Sequence, residues 1–398
     1  MTATVHNPDH HMQSLRSIIA QGRKRLGLLV GAGGPAGMRK DDGTYPLIPA
    51  VEGLTTAVLD AASATYGKQI DALKGELESH DIESILSRVR SLAGVLGASE
   101  VHGLNGEGYR QFGDQLCNEI GKAVDIRLPK ARSAYEDLVS WISGLSRDHP
   151  VEIFTTNYDL LFEEAFERNR SPFFDGFSGA REPFFDPVTV AGGKLPSRWT
   201  RLWKLHGSLG WKTNDRGEVV RTGSSDANHL VFPEHLKYDQ TQKAPYASLF
   251  DRLGQFLQEP DTLMICSGFS FADAHISARI DEALAGNQSA SVFAFQFKHI
   301  ASETCASDIA MRRPNFTLYA PDGAIVNCRP GSWRLPSELP AKDWGPIRES
   351  YWKADEGGSF TLGKIEELAK FVASSRSEQV IRTKQPEDGG LSAEAAAQ

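Results

Sequence analysis

Apolar positions along the chain follow two rhythms. At the start, Leu15, Ile18 and Ile19 fall at three- and four-residue steps and predict a helix over residues 14–25. Residues 26–30 are then an unbroken apolar run that ends in glycine, the pattern of a short buried strand. Helical spacing returns between Gly53 and Ser146: Leu54, Val58 and Leu59, then Ile82, Ile85, Leu86 and Val89, then Tyr135, Leu138, Val139 and Ile142. Beyond it stand short runs at 151–154, 202–205, 229–232, 263–266, 291–297 and 316–319, each with strand character. A helix predicted at 274–284 joins two of them into a strand–helix–strand unit of the parallel kind.

The expected fold class is therefore α/β: a doubly wound, mostly parallel, Rossmann-like sheet with a helical insertion or a second, smaller helical domain. The expected organisation is an N-terminal helix over 1–25, a core over 26–52 and 147–320, a helical insertion over 53–146, and a C-terminal extension over 321–373 with a helix at 362–373. Residues 171–199 are rich in Pro, Gly and Phe and 213–228 in polar turn residues, so both are expected as excursions from the sheet. The tail, 374–398, is polar and then Ala-rich, and is expected to be disordered. No internal repeat occurs.

Composition narrows the function. At 398 residues, 40% hydrophobic and 24% charged, the chain has the profile of a soluble globular protein with a sizeable core. A formal net charge of -8 provides no global basic surface, so direct nucleic-acid binding is not expected. The N-terminus lacks a basic segment followed by an apolar core, and the uncharged stretch at 26–38 is too short and glycine-rich to span a bilayer. Cys117, Cys266, Cys305 and Cys328 stand far apart and form no C-x-x-C pair. A cytoplasmic protein with reduced cysteines, no membrane association and no metal site is expected.

Four short strings carry the candidate chemistry, each after an apolar run. The first, Gly31-Ala32-Gly33-Gly34, is a glycine turn of the kind that brings backbone N–H groups against a phosphate, although Pro35 removes one such donor. The second, Thr155-Thr156-Asn157-Tyr158-Asp159, offers a carboxamide and a carboxylate, and equally suits the cap and first turn of a helix over 158–168. The third, Lys204-Leu205-His206-Gly207-Ser208, presents an imidazole, which also fits a hydrogen-bonded histidine at a strand end. The fourth, Ser267-Gly268-Phe269-Ser270-Phe271-Ala272-Asp273, places Ser267 and Gly268 to meet a second part of a dinucleotide and Asp273 at a helix N-cap. All four fall at predicted carboxyl ends of strands, the edge where open α/β sheets bind ligands.

In this order the strings resemble the sirtuin family, in the divergent bacterial branch that hydrolyses NAD during anti-phage defence. Asp175-Gly176-Phe177-Ser178-Gly179 and Asp81-Ile82-Glu83-Ser84-Ile85-Leu86 are similar to further pieces of it, and the resemblance covers about residues 26–297. It implies that Gly31, Ala32 and Gly33 hold NAD phosphates, that Asn157 and Asp159 flank the nicotinamide ribose, that His206 is the catalytic base, and that Ser267 and Gly268 contact the adenosine half. Protein-deacetylating sirtuins carry two cysteine pairs around a structural zinc, and this chain has none. The implied activity is NAD+ hydrolysis to ADP-ribose and nicotinamide. The alternatives are NAD-dependent protein deacylation, ADP-ribosylation, or a catalytically silent nucleotide-binding assembly subunit. The resemblance also implies a homo-oligomer that assembles with a HerA-like ATPase. No G-x-x-x-x-G-K followed by Ser or Thr occurs in the chain, so ATPase chemistry is expected from that partner.

Overall fold

The computed structural model describes residues 4–222, 244–354 and 357–382. The strand expected at 229–232 and the tail from 383 lie outside these residues. In chain order the strands are β1 (Val5–His6), β2 (Arg25–Val30), β3 (Glu152–Thr155), β4 (Phe173–Phe174), β5 (Phe177–Ser178), β6 (Phe184–Phe185), β7 (Thr200–Lys204), β8 (Trp211–Thr213) and β9 (Val219–Arg221). They continue as β10 (Thr262–Ser267), β11 (Ser291–Phe295), β12 (Phe316–Ala320), β13 (Gly323–Val326) and β14 (Arg329–Trp333), with a two-stranded pair, β15 (Trp352–Lys353) and β16 (Ser359–Phe360), after them.

Ten of these strands form one sheet in the order β1-β14-β13-β12-β11-β10-β2-β3-β7-β4. From β12 to β4 all neighbours are parallel, and an antiparallel hairpin of β13 and β14 extends one side. The chain leaves β2 toward β3, β7 and β4 and later returns on the opposite side through β10, β11 and β12. The sheet is thus doubly wound, with its switch point between β2 and β10.

Successive residues of the central strands point into different cores. Leu28, Ile153, Leu202 and Ile265 pack on one face, and Leu29, Phe154, Trp203 and Met264 on the other. Burial on both faces is why these strands appear in sequence as unbroken apolar runs rather than alternating ones. One face is covered by α1 (Pro8–Ile19) and by the helices between β2 and β3, namely α2 (Gly33–Ala36), α3 (Val51–Glu76), α4 (Ile82–Val95), α5 (Gly106–Val124) and α6 (Ala134–Ser143). The other face is covered by helices Tyr246–Gln258, Ala274–Gly286 and Thr304–Arg312.

Several boundaries differ from expectation for local reasons. The first helix spans Pro8–Ile19 rather than 14–25, because the Asn7 side chain accepts the Asp9 and His10 N–H groups and proline occupies the first turn. Residues 171–199 are not wholly an excursion: Phe173 and Phe174 pair with Thr200 and Arg201 and make β4 an edge of the main sheet. Nearby, β5, β6, β9 and β8 form a separate four-stranded antiparallel sheet. The last helix runs over Ile365–Arg382, so residues 374–382 are helical and not part of a disordered tail. Among the described residues, no helix is long and apolar enough to cross a membrane.

A buried ionic group anchors the amino end of β3. Glu152 accepts from Trp203 Nε1 at 2.7 Å and Arg252 Nε at 2.9 Å, with Arg201 Nη1 at 3.4 Å, and all three charged residues are buried. Pairing is the condition under which such charges are tolerated away from water.

Candidate active site

Strand register gathers the four strings. Ser267 of β10 pairs with Val30 of β2, Val30 with Thr155 of β3, and Thr155 with Lys204 of β7. The chain therefore leaves four adjacent strands at one level, and the turns beyond them collect along a single edge.

At the switch point the first and fourth strings pack directly on each other. Gly31 N–H donates to the Ser267 carbonyl at 3.2 Å, and Gly33 N–H to the Gly268 carbonyl at 2.9 Å. A Cβ on Gly31 would stand 2.5 Å from the Gly268 carbonyl oxygen, and one on Gly33 2.7 Å from Gly268 Cα. Gly268 itself has φ +65°. These glycines are thus required by backbone-to-backbone contact, whether or not a phosphate approaches them. The Gly33 N–H is already occupied, so it is not the free phosphate donor expected of this turn.

The second string is tied to the first. Thr155 Oγ1 donates to the Val30 carbonyl at 2.8 Å and accepts the Asn157 N–H at 3.1 Å, while Asn157 Nδ2 donates to the Gly31 carbonyl at 3.1 Å. The next helix, α7, spans Leu161–Arg168 and starts without a side-chain cap. Asn157 and Thr156 therefore do not cap it, and the helix expected over 158–168 begins three residues later. Asp159 Oδ1 accepts the Leu161 N–H at 3.0 Å.

Beneath this turn lies a buried charged group. Lys204 Nζ donates to the Asp159 carbonyl and stands 3.1 Å from Glu163 Oε1. Burial pushes the Asp159 carboxyl above its usual range and that of Glu163 up to about 7, with the Lys204 ammonium opposing both shifts. Lys204 locks the turn that carries Asn157 and Asp159 to the strand that carries His206.

His206 is 5% exposed, and its ring stacks against Phe250 at a centroid distance of 6.4 Å. Its Nε2 stands 3.0 Å from Asp273 Oδ2, yet makes no hydrogen bond of acceptable geometry. Asp273 is the N-cap expected of it: Oδ1 accepts the His275 and Ile276 N–H groups.

These strings border a cleft of about 1420 Å³. Ala32, Gly33, Asn157, Asp159, His206 and Gly268 line it, whereas Gly31 and Ser267 do not. The Ser267 hydroxyl is buried without a hydrogen-bond partner among the described residues. Helices α3 and α4 supply the opposite wall through residues such as Thr55, Asp81 and Ser84. Sequence reasoning did not single out Glu163, Phe250 or Gln296 as site residues. Gln296 follows β11 at the same edge, lines the cleft and donates from Nε2 to the Phe269 carbonyl at 2.9 Å. Its place near the carboxyl end of the run predicted at 291–297 was the available signal. Among the described residues, no group of three or more His, Cys, Asp or Glu could hold a metal ion.

No curated protein matches the chain. A solved structure from work on the mechanism and regulation of Sir2 enzymes aligns over 95% of this chain and 100% of its own, at 12% identity and a TM-score of 0.40. Residues 151–310, which contain β3, β7, β10 and three of the four strings, match the family model of the SIR2-like domain.

Proposed function

We propose that this chain binds NAD+ across the switch point and hydrolyses its nicotinamide–ribose bond. The observation that carries the reading is the placement of Asn157 and His206, past the carboxyl ends of the adjacent strands β3 and β7, on a cleft that Gly33 and Gly268 also line. The match of residues 151–310 to a SIR2-like domain supports it.

Cleavage leaves the bonding electron pair on nicotinamide and develops positive charge on the ribose, so the enzyme must hold the sugar and deliver water to it. Asn157 donates through Nδ2 to Gly31, which fixes its amide and leaves Oδ1 as an acceptor for a water or a ribose hydroxyl. His206 takes the proton released as the water oxygen bonds to the sugar carbon. Ala32, Gly33 and Gly268 border the dinucleotide, and Asp159 lies beside its ribose. The products are ADP-ribose, nicotinamide and a proton, which His206 passes to solvent.

On the resemblance of its motifs, the activity acts in anti-phage defence by depleting NAD. Such an activity must be restrained in a healthy host, and we assign the restraint to assembly: a cytoplasmic homo-oligomer joined by a HerA-like ATPase. The test is a time course of NAD+ consumption by purified protein, alone and with the ATPase encoded beside it. Release of nicotinamide and free ADP-ribose is expected. Acyl-group transfer or an ADP-ribosylated target would replace hydrolysis with the corresponding transferase reading, and binding without turnover under both conditions would make the chain a silent subunit.

A further inference from the structure

We propose that Asp273 is the positioning residue of His206, holding a fixed negative charge beside the imidazole so that the imidazolium formed on proton transfer is stabilised. The inference rests on the reading of His206 as proton acceptor and adds a residue to that site.

Two observations converge. Asp273 Oδ2 stands 3.0 Å from His206 Nε2, with the side chains 17% and 5% exposed, so little solvent screens the pair. The carboxylate is also held from its other end, since Oδ1 accepts the backbone N–H groups of His275 at 2.9 Å and Ile276 at 3.0 Å in the first turn of the 13-residue helix Ala274–Gly286. A helix N-terminus favours negative charge, and this one fixes both the position and the ionisation of Asp273. Burial acts to raise the carboxyl, but contact with His206 and the two N–H groups outweighs it and leaves Asp273 below the usual carboxylate range.

The dual role of Asp273 allows a clean test, because Asn and Ser cap helices about as well as Asp but carry no charge. NAD+ turnover is measured for the full chain as the parent, Asp273→Asn, Asp273→Ser, His206→Ala and the double variant His206→Ala/Asp273→Asn. We expect Asp273→Asn and Asp273→Ser each to lower kcat by about tenfold or more with KM within about threefold, and Asp273→Asn to add nothing on the His206→Ala background. Parental kcat in Asp273→Asn, or the same fold-loss on both backgrounds, overturns the inference. A parent that turns over NAD+ neither alone nor with the ATPase defeats the hydrolase reading instead. In that event the pair is judged by ¹⁵N spectra of histidine-labelled protein: ring resonances of His206, assigned by their loss in His206→Ala, move in Asp273→Asn if the contact exists, and unmoved resonances overturn it.

Discussion

The side-chain amide of Asn157 donates to the carbonyl of Gly31 at 3.1 Å, across 126 positions of sequence. The bond joins the turn after β3 to the turn after β2, and it gives Asn157 a structural task beside the catalytic one proposed for it.

Asn157→Ala separates these tasks by magnitude. Removing Nδ2 leaves the Gly31 carbonyl with the Gly34 N–H alone, a loss of about 0.5–1.5 kcal/mol of stability. Removing the positioning group is expected to lower nicotinamide release by ~100-fold. Thermal melts and turnover on the same preparation distinguish them: lost stability with parental specific activity would leave Asn157 as a tether between turns and nothing more.

The edge that holds the site was legible because each string follows a strand buried on both faces, and such strands stand out as short apolar runs: 26–30, 151–154, 202–205 and 263–266 all lie within one or two residues of β2, β3, β7 and β10. Features that depend on strand order could not be read. The contacts of Asn157 with Gly31 and of His206 with Asp273 exist only because β2, β3, β7 and β10 are neighbours, and no local pattern encodes that. Nor was β4 visible, since two phenylalanines in a Pro- and Gly-rich stretch carry no period; its pairing with β7 makes it a strand. In β14 only partial burial survives at Gly331 and Trp333, so its apolar signal is weak.

Glu163 should make stability depend on pH. Burial raises its carboxyl from 4.5 to about 7, and one of its oxygens has no hydrogen-bond partner among the described residues. Between those values the folded chain holds a proton that the unfolded chain has released, so stability falls as pH rises through this window. Glu163→Gln removes the ionisation. Urea midpoints at about pH 5 and about pH 8 should differ less in the variant than in the parent, and equal differences would show that Glu163 does not titrate in this range.

At the far end of β3, Glu152 provides a contrast, since it lies at the opposite end of the strand from the site. Glu152→Ala takes the carboxylate from buried Arg201 and leaves buried Arg252 with Glu259 alone. The expected loss is about 3–5 kcal/mol, the range measured for breaking a buried pair. Specific activity of the protein that remains folded at low temperature should stay parental. A proportionate loss of turnover in fully folded protein would show that this ionic group reaches the site.

The tightest constraint at the switch point falls on Gly268. Its φ of +65° is one that a side chain adopts only at a cost of about 1–2 kcal/mol. A Cβ there would also stand 2.3 Å from the Gly34 nitrogen and 2.6 Å from the Gly33 carbonyl carbon, both backbone atoms that cannot swing aside as a side chain would. Gly268→Ala must therefore push the turn after β10 away from the turn after β2, and a loss of about 3 kcal/mol or more is expected when strain and overpacking are combined. NAD+ turnover should fall with it, because the same displacement moves Gly33 and Gly268 on the cleft wall. Gly75→Ala is the matched control: Gly75 lies in α3, its Cβ would meet nothing within 4 Å, and alanine there should stabilise the helix by up to ~1 kcal/mol. Denaturant midpoints that move in opposite directions for the two substitutions would establish that the contact between the strings, rather than glycine as such, holds this edge together; a Gly268→Ala variant as stable as the parent would show that the two turns are not packed as described.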